Sequence, residues 1–404
     1  MDRIILHCDL NSFYASVELL SHPELRDEPV AVSGNPSSRH GIILAKNEHA
    51  KKFGVKTAET IWQARKKCPD LVLLRPHHEL YRVYSKKVNA IYDEYTDLVE
   101  PFGIDESWLD VTHTLHLFGG DAKALADTLR CRVREELGLT LSVGVSFNKV
   151  FAKLGSDYKK PDATTVISRE NWQKMIWPLP VGDLLFVGGA AKKILRQYNV
   201  HTIGELASCD RTVLESLMGK MGTQLHEYAN GLDNERVKSR MEAEPVKSVG
   251  NGTTFPKNLT TWEEAHSGIA LLADSVASRL RHEGLYAGGI QVTVRDPEFR
   301  DRSRQKRLDA PTHLIRDITD ISMELLGQIW KPPSPIRALT VTAIYPTTED
   351  TAYEQEDLFS AAAIPQKEKQ EKLEAAMDRI RGKFGNRSIT FGSGRLEKEE
   401  DPLP

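Results

Sequence analysis

One order of elements, strand, helix, strand, strand, helix, strand, can be read twice along these 404 residues, and that repetition narrows the fold more than any other feature. A first strand, Ile4 to Leu10, leads into a helix that Asn11 or Ser12 can cap, with Phe13, Val17 and Leu20 at helical spacing and Pro23 ending it. Residues from about 29 to 78 read as an insertion. Val99 to Gly103 and Trp108 to Thr112 then predict a hairpin around Ile104-Asp105-Glu106-Ser107, followed by a helix near Asp121 to Leu137, a strand Leu141 to Ser146 and a helix near Lys149 to Tyr158. The order returns as a strand Lys247 to Thr254, a helix Thr261 to His282, strands Gly289 to Arg295 and Arg300 to Leu308, a helix Thr312 to Trp330 and a strand Arg337 to Tyr345. Each βαββαβ run predicts a split sheet with helices on one face, hence an α+β class. A helical stretch and a charged connector separate the two, and the length alone favours about two to four domains.

Composition excludes several function classes. No apolar stretch approaches the roughly 18 residues of a membrane helix, and Asp2-Arg3 followed by a short strand does not read as a signal peptide, so a cytoplasmic protein is expected. Cys8, Cys68, Cys131 and Cys209 form no C-x-x-C pair, which argues against a zinc site or a disulfide framework. The formal net charge of −3 announces no nucleic-acid partner, so local clusters of Lys and Arg have to decide.

The most chemical feature is a set of carboxylates at chain ends. Asp9 closes the first strand and Asp105-Glu106 sits at the hairpin tip, where a bend lets neighbouring residues face one site. Three carboxylates suit two hard cations, which phosphoryl transfer uses about 3.5 to 4 Å apart, and Mg²⁺ prefers such oxygens. A lone Asp-Glu pair is ordinarily a solvated turn. Here, however, Cys8-Asp9-Leu10-Asn11-Ser12-Phe13-Tyr14-Ala15-Ser16-Val17-Glu18 together with Ile104-Asp105-Glu106-Ser107-Trp108-Leu109-Asp110 resembles the two metal-binding motifs of the Y-family (DinB-type) translesion DNA polymerases.

That resemblance implies a right-hand polymerase: a βαββαβ palm at 1–11 and 79–167, small fingers at 12–78, a helical thumb at 168–237, a linker at 238–245, a βαββαβ little finger at 246–347 and a tail at 348–404. It implies Asp9, Asp105, Glu106 and the Leu10 carbonyl as ligands of two Mg²⁺, and Tyr14 as a steric gate against a 2′-hydroxyl, with Phe13 and Asn11 beside the nucleotide. Many relatives carry aspartate at Asn11, which is not a metal ligand. Gly41 to Val55 resembles the fingers motif, with Glu48 and Lys51 where relatives commonly show tyrosine and arginine; Lys51, and Lys46 as compensation, are expected at the triphosphate. Lys149-Val150-Phe151-Ala152-Lys153 through Lys160-Pro161 is similar to the palm motif whose lysine before proline contacts the triphosphate, which assigns Lys160; Lys149 and Lys153 share a basic face that can meet phosphate.

DNA contacts are expected in three places. Leu184 to Leu195 resembles a degenerate helix-hairpin-helix around Gly188, with Phe186 where the first glycine is usual. Arg300, Arg302, Arg304 and Lys306 recur at every second residue, about 6.7 Å of strand, matching about two phosphate rises, and Lys247 opens the same module. A charged sheet edge that deters aggregation is the alternative. Gln355-Glu356-Asp357-Leu358-Phe359 resembles the motif by which bacterial polymerases hold the sliding clamp, with Gln355, Leu358 and Phe359 as anchors. Beyond it, Leu373, Met377, Ile380 and Phe384 predict an amphipathic helix. The expected activity is low-fidelity, template-directed addition of dNTPs to a primer by a monomer bound to primer-template DNA. The alternative is a catalytically inactive adaptor that binds DNA and the clamp.

Overall fold

Six consecutive buried residues, Ile5–Leu10, form strand β1, because it is covered on both faces and flanked on both edges. The structure, a computed structural model, describes residues 2–35, 41–242, 245–348, 364–385 and 388–389. The chain divides into two units, Met1–Ala243 and Glu244–Pro404.

In the first unit β1 is followed by α1 (Phe13–Ser21), β2 (Val30–Ser33), β3 (Ile43–Lys46), α2 (Glu48–Lys52), α3 (Ile61–Lys67), β4 (Val72–Leu74), α4 (His78–Asp93), β5 (Val99–Pro101), β6 (Glu106–Asp110), α5 (Ala122–Leu137), β7 (Leu141–Ser146), α6 (Lys149–Tyr158) and β8 (Thr164–Ile167). The main sheet runs β5-β6-β1-β7-β8. Leu6, Cys8 and Leu10 face a core built with α1, α4 and α5, and the alternate residues Ile5, His7 and Asp9 take the opposite face. That second face belongs to α6. A Cβ at Gly144, on β7, would collide with the Ala152 carbonyl, so the missing side chain is what lets α6 lie directly on the sheet. The insertion is a separate sheet, β3-β2-β4, with α2 and α3 and its own small core. Helices α7 (Trp172–Ile176), α8 (Gly189–Gln197), α9 (Ile203–Ala207), α10 (Arg211–Met218) and α11 (Lys220–Ala229) surround a further core that includes Ile203, Leu206 and Leu225.

The second unit contains β9 (Ser248–Leu259), α12 (Trp262–His282), β10 (Leu285–Arg295), β11 (Asp301–Thr312), α13 (Ile315–Ile329), β12 (Ile336–Thr348) and α14 (Ile364–Phe384). Its sheet runs β11-β10-β12-β9 and is antiparallel throughout. The linear order of elements thus repeats, but the strand order does not: the first strand of the module is central in the first unit and at an edge in the second.

Among the described residues no helix is long and apolar enough to cross a membrane, and all four cysteines are free. The predicted clamp anchors Gln355, Leu358 and Phe359 lie outside the described residues. Helix α14 forms, but its apolar stripe is not its docking face: Leu373, Ile380 and Phe384 are exposed and only Met377 of the four is buried. Charge holds it instead. Arg281 on α12 reaches Glu374, which is wholly buried, and lies 2.6 Å from Asp378, while Arg381 pairs with Asp274 at 2.7 Å.

Candidate active site

Antiparallel pairing sets Asp9 directly opposite Glu106, so the two carboxylates share the α6 face of the sheet, with Cβ atoms about 4.5 to 5.5 Å apart in such a pair. Asp105 lies in the turn before β6, tied to β1 by the Leu10 N–H donating to its carbonyl at 3.0 Å. The first hairpin strand is shorter than expected and the second begins two residues earlier, so Glu106 is the first residue of β6 rather than part of the loop. Asp9, Leu10, Asp105 and Glu106 line one cleft of about 410 Å³ with Asn11, Phe13, Tyr14, Lys46, Glu48, Lys51, Thr57 and Lys160. The predicted carboxylates therefore come together in one place.

They are held by lysines. Lys160 Nζ is 2.6 Å from Asp9 Oδ2 and 2.7 Å from Asp157, and Lys153 Nζ is 2.6 Å from Glu106 Oε2. Burial pushes the Asp9 carboxyl up to about 7 in spite of Lys160, and raises Asp105 as well, helped by the charge of Glu106. Burial also acts on Glu106, but hydrogen bonds from His7 and Lys153 overcome it and hold that carboxyl well below the usual range. Lys160 stays above its ordinary value because Asp9 and Asp157 outweigh its desolvation. With ammonium groups on two of the three acids, no three His, Cys, Asp or Glu side chains among the described residues are gathered closely enough to hold a metal ion as they stand. The donor set nonetheless suits a hard divalent cation: carboxylate oxygens at the mouth of a cleft, two of them now engaged by cations that a metal would replace.

Tyr14 borders the cleft on a rigid support. Its ring stacks on Tyr81 at 4.1 Å and 12°, and His78 meets it edge-on at 5.8 Å. Tyr81 is fully buried and its hydroxyl donates to Glu18. Phe13 is buried in the core beneath. Asn11 is also buried, its amide bonded to the hydroxyls of Thr140 and Ser142, which makes it a strut between β1 and β7. On the insertion, Lys51 is 3.4 Å from Glu48, and Lys46 donates to Thr57 at 3.0 Å.

One expectation about a basic face needs correction. Lys149 is buried, 2.9 Å from Glu100 and over the Trp108 ring, and Lys153 turns inward to Glu106, so this pair is not a free phosphate-facing stripe. On β11, Arg302, Arg304 and Lys306 pair in register with Val294, Val292 and Ile290, buried residues of the face that α13 covers. Residues directly opposite share a face. Accordingly Lys306 reaches Glu324 of α13 at 2.8 Å and Arg302 leans on the Ile329 carbonyl, while Arg300 is tied to Asp296 and Glu298; all are exposed at the sheet edge, and Arg304 has no ion-pair partner among the described residues. The opposite face carries Arg307, stacked over Tyr345, a residue the alternation argument passed over. Lys247 is exposed beside β9. In the helical region Phe186 adopts φ 68, the left-handed backbone for which glycine is usual, and Gly188 caps α8.

Residues 8–157 match the impB/mucB/samB family, and residues 246–358 match the C-terminal domain of that family. The DNA polymerase IV of Acetivibrio thermocellus is 47% identical, over 97% of this chain and 97% of the relative. The chain belongs to the Y-family DNA polymerases. DNA polymerase IV 1 of Bacillus subtilis is 37% identical over 98% of this chain and 94% of its own length. Among solved structures, the Y-family DNA polymerase chimera Dbh-Dpo4(243-245)-Dbh superimposes with a TM-score of 0.75 at 21% identity, covering 86% of this chain and all of the other, which shows the mixed α+β fold. Family membership carries with it a divalent metal cofactor.

Two residues that touch the carboxylates were missed by the sequence reading, Lys153 in this role and His7. His7 is wholly buried, and burial drives its imidazole down to about 4, so it is neutral at pH 7. The signal was available: His7 precedes Asp9 by two residues on one strand and must share its face.

Proposed function

We propose that the chain is a template-directed, low-fidelity DNA polymerase that extends a primer 3′-hydroxyl with deoxynucleoside triphosphates across damaged templates. Support comes from one observation, a single cleft lined by four carboxylates, three lysines and a braced tyrosine in a chain of this family. Asp9, Asp105, Glu106 and the Leu10 carbonyl would hold two Mg²⁺, which supply a lowered pKa at the attacking hydroxyl and neutralise the triphosphate. Lys160, Lys51 and Lys46 present ammonium point charges to the phosphates; none offers the bidentate grip of arginine. Tyr14, unable to recede against Tyr81, excludes a sugar 2′-hydroxyl by contact.

The palm, with the β5-β6-β1-β7-β8 sheet, carries the chemistry; the β3-β2-β4 insertion is the fingers, α7 to α11 the thumb and residues 246–347 the little finger. The Gly188 turn and the basic β11 edge bind duplex backbone without reading sequence, and the Gln355-Leu358-Phe359 motif engages the bacterial sliding clamp. The protein acts as a monomer in the cytoplasm. Primer extension tests the assignment: Asp9→Asn, Asp105→Ala and Glu106→Ala should each lower turnover by about 10²- to 10³-fold or more, and full activity in any of them overturns it.

A further inference from the structure

His7 has no part in the chemistry above, yet its placement is tightly specified. It faces α6 from β1, opposite Trp108 on β6 and Gly144 on β7, and the Trp108 ring meets it with centroids 5.3 Å apart. Its Nδ1 lies 2.8 Å from Ser156 Oγ on α6. Its Nε2 lies 3.4 Å from Glu106 Oε2, the oxygen that Lys153 also contacts.

A neutral imidazole has one N–H and a hydroxyl has one proton, so two arrangements compete. In the first, Ser156 donates to the Lys153 carbonyl at 2.8 Å, His7 donates through Nδ1 to Ser156, and the bare Nε2 lone pair confronts a carboxylate oxygen. In the second, Ser156 donates to Nδ1 and Nε2–H points at Glu106. The first leaves a buried nitrogen lone pair against negative charge with nothing to pair it; as placed, Nε2 makes no formed hydrogen bond, its 3.4 Å contact with Oε2 being long, so the second arrangement requires that contact to shorten. The second satisfies both ring nitrogens, and the Lys153 carbonyl, being inside a helix, keeps its backbone donor.

We propose that His7 is a positioning residue for Glu106: anchored by Ser156, it donates through Nε2 to Oε2 and fixes the carboxylate with Oε1, which has no hydrogen-bond partner among the described residues, left for a divalent cation. This rests on Glu106 being a metal ligand. Lys153 holds the same oxygen, but on a flexible stem, whereas the imidazole is a rigid plate gripped at both ends. The arrangement follows the general rule that groups behind a ligand orient it, and their loss typically weakens metal binding about 10- to 100-fold.

The test uses the full chain and Mn²⁺ alone, titrated by the electron paramagnetic resonance of the free ion. His7→Phe fills the space with no donor, His7→Asn keeps a polar group only on the Ser156 side, and His7→Gln carries an N–H out to the Nε2 position. The dissociation constant should rise about 10- to 100-fold in His7→Phe and His7→Asn and return to within about threefold of the parent in His7→Gln, a rescue that a purely structural role would not produce. Should the variants fail to fold, ¹⁵N spectra of histidine-labelled parent protein give the tautomer directly: Nε2 protonated supports the proposal, Nδ1 protonated overturns it. Unchanged Mn²⁺ affinity in His7→Phe also overturns it. Glu106→Gln separates the two levels: if it weakens Mn²⁺ binding while His7→Phe does not, only the role of His7 fails, and if Glu106→Gln itself has no effect, the ligand assignment beneath it falls.

Discussion

Removing the Tyr14 ring should relax sugar selection by an amount that its surroundings set. The ring is stacked on Tyr81 at 4.1 Å and met edge-on by His78, and Tyr81 is itself fully buried with its hydroxyl on Glu18. A 2′-hydroxyl driven against it therefore meets a wall that cannot move, and forcing an extra heavy atom into such packing costs about 1 to 3 kcal/mol. At tenfold per 1.4 kcal/mol that is about a 5- to 140-fold preference for the deoxy sugar. The assay is single-nucleotide incorporation opposite template guanine, comparing kcat/KM for dCTP and CTP. In Tyr14→Ala the ratio should collapse by that factor, mainly through improved use of CTP. Tyr81→Leu should give a partial loss, because Tyr14 remains but loses a stacking partner worth about 0.5 to 1.5 kcal/mol. An unchanged ratio in Tyr14→Ala, or a larger effect from Tyr81→Leu than from Tyr14→Ala, would refute the gate.

Arg281→Met should release α14 from α12, since it strands the buried Glu374; breaking a buried pair costs about 3 to 5 kcal/mol, so hydrogen exchange across residues 374–384 should accelerate by at least about 100-fold, and unchanged protection would show that charge does not hold the helix. Arg304→Ala should lower the slope of log binding constant against log salt by about 0.9 on duplex DNA, whereas Lys306→Ala, already neutralised by Glu324, should change it much less; equal effects would contradict the distinction between the two side chains.

Much of the fold was legible because local signals and tertiary demands agreed. The α6 boundaries follow from Asn148, whose side chain accepts from the Phe151 N–H, and α12 begins at a capping box between Thr261 and Glu264. Strand order was not legible. The two βαββαβ runs look alike in sequence but β1 lies inside its sheet and β9 at an edge, a difference that the alternation of any one strand does not encode. The same blindness explains the basic strand: alternation groups Arg302, Arg304 and Lys306 correctly, but only the register with Ile290, Val292 and Val294 says which face they take. For α14 the apolar stripe was the wrong guide, because its partners Asp274 and Arg281 lie about a hundred residues away in sequence. In the site, Asp9 and Glu106 were readable from the motif, whereas the lysines that hold them needed α6 to be seated on Gly144.

The charges of the cleft bear on what it can accept. Asp9, Glu48, Asp105, Glu106 and the adjoining Asp157 stand against Lys46, Lys51, Lys160 and the adjoining Lys153, so in formal terms the site carries about one net negative charge. Part of that balance is locked in direct pairs, Lys160 with Asp9 and Lys153 with Glu106. A bare nucleoside triphosphate would add about four negative charges to a partly buried site and free cations alone would add positive ones; either imbalance is opposed more strongly there than in water. Arriving together, a triphosphate and two divalent ions add almost none. On the proposed function Lys160 would then exchange Asp9 for phosphate oxygens as Asp9 exchanges ammonium for metal. Such an exchange would couple nucleotide binding to metal binding through Lys160.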